Sequence, residues 1–202
     1  MLELIVPVVT AIIGIIGTLL AIKYKHKLIQ TRLEEDTLCP VGECIIEDTL
    51  VIEKLREVLD EIHGDRISIM SFHNGSTYYS GKSMQKMSMT YEECNNGISS
   101  VMLDKQNIPV SACITTLKPL IENGEFYCVD TKDYPEGLYK YHIENDGVKS
   151  TYEYPVVDLH KNIIGVLSVD FVKRKTILTD DNHDLLKLLS AQLPGYLSGK
   201  SK

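Results

Sequence analysis

Residues 4–22, LIVPVVTAIIGIIGTLLAI, carry no charged side chain, and KYKHK follows at once. At about 1.5 Å per residue, a helix of this length matches the hydrocarbon core of a bilayer. Inside lipid every backbone amide must be satisfied within the segment, so a lone span is a helix. The rest of the chain is therefore expected to fold as a soluble domain tethered to a membrane surface. Glu3 and the α-amino group are the only charges before the span, whereas Lys23, Lys25, Lys27 and Arg32 crowd its exit. The positive-inside rule puts the N-terminus outside and the C-terminal bulk in the cytoplasm. A cleaved signal peptide would show a basic n-region, a shorter apolar core and an A-x-A-like site; this chain has none of these, so a single-pass, uncleaved anchor is expected. The four basic residues read as a topology signal rather than as a lipid-headgroup site. Thr10, Gly14 and Thr18 recur at four-residue spacing, which would let two anchor helices approach closely.

About 180 residues follow the span, enough for one domain with a sizeable core. The net charge is −7, with no basic stripe beyond the juxtamembrane cluster. That argues against nucleic acid, whose phosphates demand clustered Lys and Arg. The cysteines, Cys39, Cys44, Cys94, Cys113 and Cys128, are odd in number and reduced if cytosolic. Cys39 and Cys44 lack a second Cys/His pair to complete a zinc site, so no metal is expected.

Residues 23–37 read as a polar continuation of the anchor helix, broken at Cys39-Pro40-Val41-Gly42. Ile45, Ile52, Leu55, Leu59 and Ile62 then mark an amphipathic helix stopped at His63-Gly64-Asp65. RISIMSFHN alternates as a strand, and KSMQKMSMTYEE reads as another after a turn containing Gly75 and Gly81. PVSACITTLKPLIEN is a helix that Pro119 shortens or bends. EFYCVD is a short strand, and Asp133–Gly147 a polar, Tyr-rich loop with room for one helical turn. YEYPVVDL and IIGVLSVDFV form an antiparallel hairpin around His160-Lys161-Asn162. Thr179-Asp180-Asp181 caps a last helix with Leu185, Leu186, Leu188, Leu189 and Leu193 on its stripe. The expectation is an α+β arrangement, an antiparallel sheet flanked by helices. The expected organisation is an anchor (1–22), a juxtamembrane helix and linker (23–44), a folded domain (45–197) and a tail (198–202).

Two stretches, GVKSTYEYPVVDLHKNIIGVLSVDF and LTDDNHDLLKLLSAQL, resemble the closing half of GAF domains. In that family a strand, a polar turn, an IGVL strand and a D.....L...A.QL helix come in this order. The resemblance implies a central antiparallel sheet with the terminal helices on one face and a ligand cleft on the other. It also implies a homodimer packed through those helices. The chain departs from the cyclic-nucleotide branch, lacking its NKFDE pattern, and from the tetrapyrrole branch, lacking its Cys-His pair. It also departs from the GAF-like free methionine sulfoxide reductases, whose catalytic cysteine lies in a His-x-x-Cys-Asp stretch. The corresponding YHIENDGVKS has no cysteine, and a thiolate is indispensable to that chemistry. No Ser-His-Asp, P-loop or HExxH pattern is present, so no catalytic residue is assigned and no enzyme is expected.

The most suggestive local motif is FHNG, where a strand runs into a turn. His73 and Asn74 offer donors and acceptors, Gly75 lets a ligand approach the backbone, and Tyr78 lies close by. The plain alternative is ordinary Asn-Gly turn chemistry. Lys86 and Ser88 share a strand face and could meet an anionic ligand, with Glu92 following. Tyr152 shares a face with Tyr154, either lining a cleft or covering the sheet. The candidate ligand-binding set is thus His73, Asn74, Gly75, Tyr78, Lys86, Ser88, Glu92 and Tyr152, with no cofactor named. Two readings remain: a membrane-anchored, non-enzymatic domain that binds a small molecule and passes its state to a partner, or a ligand-free interaction platform in a membrane complex.

Overall fold

The computed structural model describes residues 40–197, with Lys23 and Lys25, both helical. The expected span, its orientation, its small-residue face and most of the juxtamembrane helix lie outside the described residues. Among the described residues no helix is long and apolar enough to cross a membrane. The chain divides into two units between Ile46 and Glu47, and the second carries the sheet.

Helix α1 spans Pro40–Glu61. The expected break at Pro40 is instead a helix start, because proline in the first turn lacks an amide that would have no partner there. Its buried stripe is Val51, Leu55, Val58, Leu59 and Ile62, while Ile52 is half-buried and Ile45 stays exposed. The helix ends with His63 in the left-handed region at φ 53°, a place the sequence assigned to Gly64.

One six-stranded antiparallel sheet follows, in the order β3-β2-β1-β6-β5-β4. Strands β1 (Arg66–Thr77) and β2 (Ser83–Cys94) form a long hairpin. Strand β6 (Ile163–Phe171) accompanies β1 only over Arg66–Ser71, so the hairpin's far half projects past the sheet into solvent. Strands β5 (Ser150–Val157) and β4 (Phe126–Cys128) complete one edge, and the two-residue β3 (Ile108–Pro109) the other.

The two faces of the sheet bury different cores. On the first, Ile67, Ile69, Tyr152, Tyr154, Leu167 and Val169 meet α1 and helix α4 (Asp180–Gln192). Thr179 caps α4 as expected, its hydroxyl accepting from the Asn182 amide at 3.3 Å. On the second face, Met70, Met87, Met89 and Val166 lie under Leu117 and Leu120 of helix α2 (Ile114–Asn123). Helix α3 (Leu138–Asn145) joins this side, with Tyr139 packed at its margin. The expected loop over 133–147 therefore contains α3, which buries only Ile143 and so shows little periodicity in the sequence. A last turn, α5 (Pro194–Leu197), ends the described chain.

Because helices cover both faces, β5 and β6 are buried almost throughout instead of alternately. The glycine of the IGVL strand has a steric reason. A Cβ on Gly165 would stand 2.6 Å from the Met70 carbonyl oxygen, so only glycine lets β6 sit this close to β1.

Candidate functional site

The structure separates the eight sequence-derived candidates into three places. The first is the projecting β1–β2 hairpin. There His73 Nε2 and Ser88 Oγ are 2.9 Å apart, and Ser88 Oγ accepts from the Asn107 amide at 2.8 Å. Asn74 Oδ1 accepts from Ser83 Oγ at 2.8 Å and Gln85 Nε2 at 2.7 Å. The Lys86 stem lies across Gly75, where a Cβ would come within 2.5 Å of it. Tyr78 is exposed. These groups satisfy one another on an open ribbon, without a concave wall around them.

Glu92 occupies the second place, inside the domain. Its Oε1 is 3.2 Å from Arg66 Nε, and the same carboxylate accepts from the amides of Val101 at 3.0 Å and Met102 at 3.2 Å. Tyr152 occupies the third. It lies on the face packed by α4, its hydroxyl donating to the Thr176 carbonyl at 2.8 Å and accepting from the Leu178 amide at 3.2 Å. There it holds the β6–α4 connection against the sheet.

Two concavities lie elsewhere among the described residues: an open, polar one of about 470 Å³ beyond the C-terminal end of α1, lined by His63, Asp65, Asn95, Asn96, Lys173 and Arg174 among others, and a small one on the second face under α2. There a partly open space of about 10 Å³ is lined by Met70, Met87, Leu117 and Val166, with Cys113, Thr116, Tyr139, Glu153 and Ser168 as its polar rim. It has room for one water molecule at most. Glu153 is 5% exposed and, among the described residues, its carboxyl makes no hydrogen bond or ion pair. Burial, with the charge of Asp170 added, pushes its pKa up to about 8, so it is protonated at neutral pH. Burial likewise pushes the Cys113 thiol up to about 12. Cys94 and Cys128 are also raised, by burial first.

A buried charge cluster lies near Glu153, outside the cavity's own lining. Arg66 Nη1 is 3.2 Å from Asp170 Oδ2, and its Nη2 donates to the Ser99 carbonyl at 3.0 Å. Thr151 Oγ1 donates to the other Asp170 oxygen at 2.8 Å. Burial raises the Asp170 pKa against the pull of Arg66. Lys105, 2% exposed, sits 2.6 Å from Asp146 Oδ2 and 5.5 Å from the Tyr139 ring centre. No cluster of three His, Cys, Asp or Glu side chains is placed to hold a metal among the described residues.

Sequence reasoning passed over Glu153, Asp170, Arg66 and Lys105. A signal existed for Asp170, a lone acid in the otherwise largely apolar strand IIGVLSVDF.

No known protein family's sequence pattern matches the chain, and no curated protein matches it. Solved structures do match. The GAF domain of PixJ from Thermosynechococcus elongatus, in its blue-light-absorbing form, is 13% identical at TM-score 0.59, over 79% of this chain and 88% of that one. The GAF domain region of a Geobacter sulfurreducens protein described as a membrane protein is 16% identical at TM-score 0.56, over 79% and 98%. The chromophore-binding domain of a bacteriophytochrome from R. palustris is 13% identical at TM-score 0.55, over 74% and 54%. The domain thus has the GAF fold, as the closing-half resemblance implied.

Proposed function

We propose that this chain is a membrane-anchored, non-enzymatic sensory domain whose small-molecule site is the space between the sheet and α2. The observation that carries this reading is Glu153, a buried carboxyl without a partner on the wall of that space. Burial makes ionising that carboxyl costly, and a ligand that engages it offsets part of the cost. Two of the lining residues are methionines, whose unbranched, flexible side chains can move aside to enlarge the space. The similar solved domains include photoreceptor and chromophore-binding domains, which supports a small-molecule role. The raised thiols of Cys94, Cys113 and Cys128 support a non-enzymatic one, since thiol chemistry needs the thiolate. The uncharged run 4–22 supports the anchor, and the basic cluster after it supports a cytoplasmic side for the domain. The domain works as a homodimer through its terminal helices, on which Leu50 and Leu188 remain exposed.

The 10 Å³ volume favours a second reading, a ligand-free interaction platform, because small-molecule sites usually enclose about 300–1,000 Å³. Native mass spectrometry of the full chain, purified in detergent from its own cells, separates the two. A bound molecule that is lost in Ser168→Phe supports the sensor. A bare mass, with the chain capturing a protein partner through α1, supports the platform.

A further inference from the structure

We propose that the cavity under α2 receives a small organic cation, an ammonium group on a short apolar body, with the Glu153 carboxylate as its counter-ion. This rests on the reading of that space as the ligand site.

The charge inventory selects the ligand's sign. Among the described residues lining the cavity, Glu153 is the only carboxyl, and no lysine, arginine or histidine joins it. The two cations packed nearby are already engaged, Arg66 by Asp170 and Glu92, and Lys105 by Asp146. An anion would therefore meet an acid and no free positive group. A neutral ligand could accept a bond from the protonated acid, but would gain only a neutral hydrogen bond. A cation pairs with the ionised acid through a charge-assisted bond, roughly twice as strong. The remaining lining suits its body: two polarisable methionines, Leu117, Val166 and the Tyr139 ring.

Binding exchanges one positive charge for another. The ammonium keeps its protons, Glu153 loses its own to solvent, and the carboxylate and ammonium pair. The groups facing Glu153 are Asp170 on β6, Cys113 in the turn before α2, Tyr134 before α3 and Tyr139 on it, with Lys105 beyond. Asp170 is held by Arg66 and Thr151, and burial raises the Cys113 and Tyr134 groups well above neutrality. Glu153 is thus the group whose proton competes with the ligand. Affinity rises about tenfold per pH unit below about 8 and flattens above it.

The test is calorimetric titration of the full chain in maltoside micelles with propylammonium through 2-phenylethylammonium, each beside the alcohol and the carboxylate of equal length. The expected result is ammonium binding that strengthens from pH 6 to 8 and releases a proton. Glu153→Gln should weaken it at least tenfold while keeping cooperative unfolding. Equal binding of the alcohols, a flat pH profile, undiminished binding by Glu153→Gln, or no binding by any probe overturns the proposal. Alcohol binding blocked by Ser168→Phe would overturn the cation while leaving the cavity as the ligand site. Ammonium binding indifferent to Ser168→Phe would overturn both.

Discussion

Replacing Glu153 by glutamine should remove a pH-dependent strain from the fold. The carboxyl is 5% exposed and titrates near 8 in the fold, against an ordinary value of 4.5. Below about pH 4.5 it is protonated both folded and unfolded, so its full stability is present. Between about 4.5 and 8 the unfolded chain ionises while the fold keeps its proton, and stability falls as pH rises. At about 1.4 kcal/mol per pH unit, the loss at pH 7 is about 3 kcal/mol, and above pH 8 it reaches on the order of 4–5 kcal/mol. Glutamine has the shape of the protonated acid and cannot ionise. Glu153→Gln should therefore match the native chain near pH 5 and exceed its stability by a few kcal/mol at pH 8.5. The chain has no tryptophan, so urea unfolding at half-unit pH steps is followed by far-ultraviolet circular dichroism. The difference between the two proteins cancels every titrating group that is not coupled to Glu153, leaving Glu153 and neighbours such as Asp170 that feel its charge. Two curves that run parallel from pH 5 to 9 would refute the reasoning, showing that the carboxyl reaches water or a partner.

Three further outcomes follow from the same geometry. Arg66→Met should cost about 3–5 kcal/mol, since Asp170 and Glu92 would lose their buried counter-ion, and the double change Arg66→Met/Asp170→Asn should recover part of it in denaturation midpoints. Gly165→Ala should lower stability by about 1–3 kcal/mol, because its methyl would meet the Met70 carbonyl and not a movable side chain. In the folded chain at pH 8, a thiol-disulfide reagent should label the exposed Cys44 well before Cys113, whose thiol burial pushes up to about 12; mass mapping of labelled peptides reads the order.

The terminal parts of the fold were legible because their patterns are local. The β5–β6 hairpin, the IGVL strand and the Thr179 cap each declare themselves within a few residues. The start of α1 was misplaced because Pro40 reads equally as a breaker and as a first-turn residue. Helix α3 escaped because a short helix that buries only Ile143 carries no periodic stripe. The candidate site was the least legible part, for a physical reason. FHNG looks functional by residue type, but β1 outruns β6 at Ser71, which leaves that motif on an open ribbon. Glu153 looks like an ordinary exposed strand position until α2 and the connecting turns are laid over the second face. Its burial depends on residues 36–40 positions away, Leu117, Thr116 and Cys113, which no local window contains.

The placement of the ligand site under α2, and not on the hairpin, is tested most directly by methyl NMR of the full chain labelled at its methionine methyl carbons. Met70 and Met87 line the cavity, whereas Met84 lies on the projecting hairpin opposite Ser76. On titration with the low-molecular-weight extract of the source cells, the Met70 and Met87 methyls should shift together while Met84 stays fixed. A shift confined to Met84, or stationary signals from both cavity methionines, would contradict the assignment.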